Sequence, residues 1–125
     1  MNPQHLKQHL TDYALEFAHF LLSKSKNFVP FSAMVDGAGS VSRLGGHTGR
    51  YTVNAKDIAA LVMKELWEQM SADPEAAGVV VYNGTAKQDE HRIDAIFMIY
   101  VFADGSTEKT YFPYTANALG RAVTT

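Results

Sequence analysis

The chain has no cysteine, which removes disulfides, thiolate nucleophiles, cysteine-ligated zinc and iron–sulfur clusters together. Charge is also sparse: 19% of residues are charged, 11 basic against 13 acidic, for a net charge of −2. A dedicated nucleic-acid binder is usually basic over at least one face, so that class loses its main electrostatic support. Long apolar runs are missing too. The longest, Ile93 to Ala103, carries Asp94 and is too short to cross a bilayer. The start, Met1-Asn2-Pro3-Gln4-His5, has neither the basic nor the apolar segment of a secretory signal. The expectation is a cytoplasmic protein without a membrane partner. On that expectation the sequon Asn83-Gly84-Thr85 has no glycan to accept. There are no internal repeats and no low-complexity stretch.

What is present is a core. Of 125 residues, 46% are hydrophobic, and a chain of this length removes about two-thirds of its surface from water on folding. One domain over residues 1–125 is expected. Asn2-Pro3 opens a helix, since proline fits the first turn where its missing N–H costs nothing. Leu6, Leu10, Tyr13, Phe17, Phe20 and Leu21 then share one side at 3.6 spacing over about Pro3–Ser25. Leu15, Ala18 and Leu22 lie far round the same helix. A helix apolar on two sides sits between two layers or is covered by a partner.

Phe28–Val35 reads as a strand, Asp36-Gly37-Ala38-Gly39-Ser40 as a turn, and Val41–Leu44 as the return. A glycine-rich crossing over residues 45–53 leads to Asn54, a helix N-cap with Asp57 three residues on. Ala55, Ala59, Val62, Leu66 and Met70 form the core stripe of that second helix, which runs to about Ser71 and is stopped by Asp73-Pro74. Three strands follow: Gly78–Thr85, Asp94–Phe102 and Lys109–Thr115. Lys87–Arg92 is read as a hairpin loop. Asp94–Phe102 is apolar on both faces, as a central strand is, while Pro113 marks an edge or strand end. Ala116–Thr125 is read as coil or a short frayed helix. The fold class is α+β, a single antiparallel sheet of about five strands with two helices in the order α-β-β-α-β-β-β.

That order resembles the roadblock/longin and profilin-like group, which implies a five-stranded antiparallel sheet carrying helices. The segment Phe28-Val29-Pro30-Phe31-Ser32-Ala33-Met34-Val35-Asp36-Gly37 is similar to the first hairpin of small uncharacterised bacterial proteins with a Phe-x-Pro-Phe…Asp-Gly pattern. Neither resemblance implies a catalytic residue.

The polar candidates are few. His5 and His9 are four apart on the first helix, with Asp12 and Glu16 continuing the face and His19 at its margin. Two imidazoles and a carboxylate, His5, His9 and Asp12, are a set that a divalent metal uses. The glutamate beside the first histidine that a His-Glu-x-x-His motif requires is replaced by Leu6, and the same stripe is what the solvated edge of an amphipathic helix contains. Gly37–Ser40 and Gly45–Arg50 can offer backbone amides to an anion, but neither matches a phosphate-binding loop, and ordinary turn chemistry accounts for both. Asp89-Glu90-His91-Arg92 places an acid, an imidazole and a base in a row, and adjacent loop residues do not converge on one atom. Ser40 and Ser106 lie outside any nucleophile elbow. No catalytic set and no cofactor site emerges.

Aromatics carry more information. Tyr111, Phe112 and Tyr114 lie on the last strand, with Tyr82 and Tyr100 on its neighbours. Exposed tyrosines on a sheet stack bases in RNA-recognition domains, but here the surroundings are acidic. Residues 1–62 carry 6 basic and 4 acidic side chains, residues 63–125 carry 5 and 9. Core packing or a protein interface fits them better. Trp67, at the margin of the second helix's stripe, is a core edge or a partner anchor. The expected function is a small protein–protein interaction module, immunity- or adaptor-like, that binds a protein partner or itself as a homodimer. Leu15, Leu22 and Trp67 are the candidate interface residues. The alternative is a ligand- or metal-binding domain or small enzyme using the polar face of the first helix or the glycine-rich crossing at 45–50.

Overall fold

A computed structural model of the chain describes residues 3–24, 30–44, 55–88, 90–115, 118–119 and 123–124. The elements follow in the order α1 (Pro3–Leu22), β1 (Phe31–Val35), β2 (Val41–Leu44), α2 (Ala55–Met70), β3 (Ala77–Gln88), β4 (His91–Phe102) and β5 (Thr107–Thr115). Two short strands, β6 (Ala118–Leu119) and β7 (Val123–Thr124), come last. The five long strands lie side by side as β2-β1-β3-β4-β5, every neighbouring pair antiparallel. This is the expected α+β class and element order.

Strand parity assigns each helix to its own face of the sheet. Successive strand residues point to opposite sides, and α1 buries Leu6, Leu10, Ala14 and Ala18 against Phe31, Ala33, Val35, Val79, Val81, Ile96, Met98 and Phe112. On the other side α2 buries Val62, Leu66 and Met70 against Val80, Val101 and the partly buried Met34 and Ile99. The β4 segment from Ala95 onward therefore contributes to both layers, as its two-sided apolar pattern required. Gly78 makes the second layer possible. A Cβ there would lie 2.5 Å from Leu66 Cδ1 and 2.9 Å from its Cγ, so α2 approaches β3 more closely than any side chain on Gly78 permits.

Three aspartates shape the turns at one end of the sheet. Asp36 Oδ1 accepts the N–H groups of Ala38 and Ser40, at 2.9 and 3.0 Å. Asp73 Oδ1 accepts that of Glu75 at 2.9 Å. Asp104 Oδ1 accepts both the N–H and the hydroxyl of Ser106, at 2.8 and 2.6 Å, which hold its carboxyl below the usual range. Each is an aspartate bonding its own turn's backbone. Gly105, at φ 90°, supplies the left-handed position that the β4–β5 turn needs.

Several boundaries differ from the sequence reading. Lys87–Arg92 is not a six-residue loop: Lys87 pairs with Arg92 and Gln88 with His91, so the two strands run to within two residues of each other. Polar side chains conceal the ladder because Lys87, His91 and Arg92 project into water, where alternation carries no hydrophobic signal. The tail contains β6 and β7 where coil or a short frayed helix was expected. They pair with Tyr114–Thr115 and with Thr110–Tyr111, so Pro113, which has no N–H to donate, falls between them. Residues 45–50, including Arg50, and the Asn54 cap lie outside the described residues.

Thr110 sits in β5, 3% exposed, and among the described residues its hydroxyl has no hydrogen-bond partner. A buried hydroxyl without a partner costs its full desolvation. Thr110→Val keeps the shape and removes that cost. It is expected to stabilise by about 1 kcal/mol, a rise in thermal midpoint of roughly 3–6 °C. A lower midpoint would mean that the hydroxyl is satisfied.

Candidate functional site

The α2 layer covers only part of its face. Val62, Leu66 and Met70 occupy the region of Met34, Val80 and Val101. Further along β3, β4 and β5, a separate cluster of Ala86, Ala95 and Tyr111 with Ile93 and Phe97 has no described helix against it. Register builds an aromatic row there, with Tyr82 directly opposite Phe97 and Phe97 directly opposite Tyr111. The Tyr82 and Phe97 rings are 5.1 Å apart and inclined by only 5°. Phe97 and Tyr111 are 5.4 Å apart at 38°. These spacings are close to the separation of neighbouring strands, about 4.8 Å, so the rings stand side by side across the sheet and stack on one another.

The glycine below them matters. A Cβ on Gly84 would lie 3.2 Å from Phe97 Cε2 and 3.9 Å from Tyr82 Cε2, so both rings lean over its bare backbone. Lys109 Nζ lies 5.4 Å from the Phe97 ring centroid, adding one cation–π contact. Tyr82 and Phe97 remain half-buried, whereas Tyr111 is buried. The result is an apolar, ring-edged strip three strands wide, with its stacking largely satisfied internally.

A cleft of about 440 Å³ opens at the end of the sheet where the three aspartate turns meet the start of α1. Leu6, Ala76, Ala77 and Phe102 form its apolar lining, with Gln4, Lys7, Glu75, Asp104, Ser106 and Glu108 as the polar groups. Lys7 Nζ pairs with Glu108 at 2.6 Å and lies 5.0 Å from the Tyr100 ring centroid. Tyr100 is 1% exposed, and its hydroxyl is 2.6 Å from that of Thr11. The Thr11 hydroxyl also donates to the Lys7 carbonyl at 2.8 Å, tying α1 to the centre of the sheet.

Burial raises the Tyr100 phenol above its ordinary 10.0, with the charges of Glu108 and Asp12 adding to the rise against the Thr11 hydrogen bond. The folded state thus favours the neutral phenol. That contribution is intact below pH 10 and is lost as the pH rises from 10 through the folded-state value. Wild type is expected to lose stability between pH 9 and 11 more steeply than Tyr100→Phe, measured by urea unfolding. Tyr114, raised for the same reason, gives the variant a smaller residual slope. Equal slopes would contradict the assignment.

The residues singled out in the sequence take different places. His5, His9 and Asp12 are all exposed on α1. The His9 Nδ1 lies 3.4 Å from the Gly39 carbonyl, and Asp12 accepts a hydrogen bond from Gln8 Nε2 at 2.8 Å. Among the described residues no three His, Asp or Glu side chains are grouped to hold a metal ion. Leu15 and Leu22 are half-buried against the α1 core. Ala18, assigned to the same outer set, is instead fully buried, and Phe20, assigned to the core stripe, is 55% exposed. The small side chains of Ala14 and Ala18 let α1 settle onto the sheet, so its buried line runs Leu6-Leu10-Ala14-Ala18 and rotates Phe20 outward. Trp67 is 36% exposed on α2.

Of the five aromatics noted on the last strands, Tyr82 and Tyr111 belong to the row. Tyr100, Phe112 and Tyr114 point the other way, into the α1 layer. Phe97, the middle ring, was missed because it lies within a strand apolar on both sides. Its alignment with Tyr82 and Tyr111 needs the β3–β4–β5 register.

Comparison with protein-family models, with curated proteins and with solved structures finds no match to this chain. No helix among the described residues is long and apolar enough to cross a membrane.

Proposed function

We propose that this chain is a small cytoplasmic protein–protein interaction module, of the immunity or adaptor kind, that binds its protein partner through the Tyr82–Phe97–Tyr111 face. One observation carries this reading: a row of three aromatic side chains in direct register beyond the part of the sheet that α2 covers, with Tyr82 and Phe97 half-exposed over a buried Tyr111. Aromatic side chains with little rotational freedom are the usual anchors of protein interfaces. Because the rings already stack on one another, their edges are what they offer, which suits aliphatic side chains better than nucleobases. The immunity label rests on the hairpin likeness at Phe28–Gly37.

The test is affinity capture from the cells that make the protein, comparing wild type with Phe97→Ser and with the opposite-face control Thr85→Ser. Wild type and control are expected to retain the same partner and Phe97→Ser to lose it, with all three folded by circular dichroism. Identical capture by all three would overturn the reading.

A second reading, binding of a small ligand, rests on the cleft at the end of the sheet, whose size falls within the range of ligand sites. Its mark would be a ligand whose stabilisation in a thermal melt disappears in Glu75→Ala and survives in Phe97→Ser.

A further inference from the structure

The outward surface of α1 carries acids followed by bases along its second half. Asp12 and Glu16 are exposed near its middle, and His19 and Lys24 in its last turn and just past its end. Between them Leu15, Glu16, His19, Phe20 and Ser23 line an open groove. Phe20, at 55%, is the most exposed of the large apolar side chains among the described residues. Among the described residues it stacks along its own helix, 6.2 Å from Phe17, with Lys24 Nζ 5.5 Å from its ring centroid. The base in the last turn also suits the helix dipole of a single chain. An outward phenylalanine between His19 and Lys24 has no such explanation.

We infer that this face binds a second copy of itself, α1 against α1 in antiparallel, about a twofold axis between positions 17 and 18. The occupant follows from charge. In an antiparallel pair about that axis, Glu16 of one copy comes level with His19 of the other, and Asp12 with Ser23 and Lys24. A parallel pair would set like against like. Leu15 and Phe20 flank the charged centre, so each copy adds apolar surface on both sides of it. Such an interface is isologous, the same patch meeting itself, the commonest arrangement in soluble oligomers. One helix face provides less than the roughly 800 Å² per partner of a standard interface. The dimer is therefore weak and concentration-dependent. This inference goes beyond the partner face proposed above and uses none of its residues.

Sedimentation equilibrium from 1 to 200 µM tests it. Wild type is expected to dimerise within this range, and Phe20→Ser to remain a folded monomer. Glu16→Lys, counted twice across the twofold, is expected to weaken dimerisation by about tenfold or more. Adding His19→Glu to Glu16→Lys is expected to restore the constant to within about threefold of wild type. A wild type that stays monomeric at 200 µM overturns the inference and leaves the partner face untouched. A wild-type dimer unaffected by Phe20→Ser and by the charge variants also overturns it, and shows self-association through another surface.

Discussion

Gly78→Ala is expected to destabilise the fold by about 1–3 kcal/mol, the cost of forcing an extra methyl into a well-packed layer. The added Cβ would meet three carbons of the Leu66 side chain at 2.5, 2.8 and 2.9 Å. Leu66 cannot move aside, because it is fully buried among Val62, Met70, Val80 and Val101. The cost thus falls on the spacing between α2 and β3. The same contact makes a second result specific. Leu66→Ala alone is expected to cost about 2–5 kcal/mol through the cavity that it leaves, and a methyl added at position 78 fills part of that cavity. The double variant Gly78→Ala/Leu66→Ala is expected to cost less than the sum of the two singles by about 1 kcal/mol or more. Urea unfolding of the four proteins measures this. Strict additivity would mean that α2 does not rest on Gly78.

Phe31→Ala is expected to cost more, about 3–5 kcal/mol, a large share of the roughly 5–15 kcal/mol that holds an ordinary domain together. Phe31 is 2% exposed in β1, and its ring meets that of Phe17 edge-on, with centroids 4.9 Å apart at 88°. Phe17 in turn carries the Arg43 guanidinium, 4.5 Å from its ring centroid. Removing Phe31 therefore opens a cavity at the junction of α1, β1 and β2, and loosens the link between α1 and the sheet's edge strand. Phe31→Leu, which keeps most of the volume, is expected to lose less than about 1.5 kcal/mol. A Phe31→Ala loss no greater than that of Phe31→Leu would show that the junction is not the packed core described here.

Both effects arise where the sequence was most legible. The Val62-Leu66-Met70 stripe of α2 and the apolar run of β4 announced a sheet filled from two sides, and the Asp-Gly turns announced where strands reverse. Legibility failed where a pattern depends on closeness rather than hydrophobicity. Ala14 and Ala18 form the centre of α1's buried line because they are small. A wheel weighted by apolar size places that centre on the larger side chains and turns Phe20 inward. The hairpin ends at Lys87–Arg92 were hidden for the opposite reason, since their alternation is polar on both faces. The aromatic row needed more than one strand to be seen. Tyr82 and Tyr111 stand out singly, but only the pairing of β3, β4 and β5 brings Phe97 between them and separates them from Tyr100, Phe112 and Tyr114. The bare backbone of Gly84, which leaves room for two of those rings, is equally invisible until register places it beside them.

The proposed function places the partner on the Tyr82–Phe97–Tyr111 face. The most direct measurement places a photo-crosslinking phenylalanine analogue at position 82 and, separately, at the exposed position 85 on the opposite face of the same strand, in the cells that make the protein. Irradiation is expected to join position 82 to one discrete protein, and position 85 to none. No adduct at 82, or the same adducts at both positions, would contradict the account.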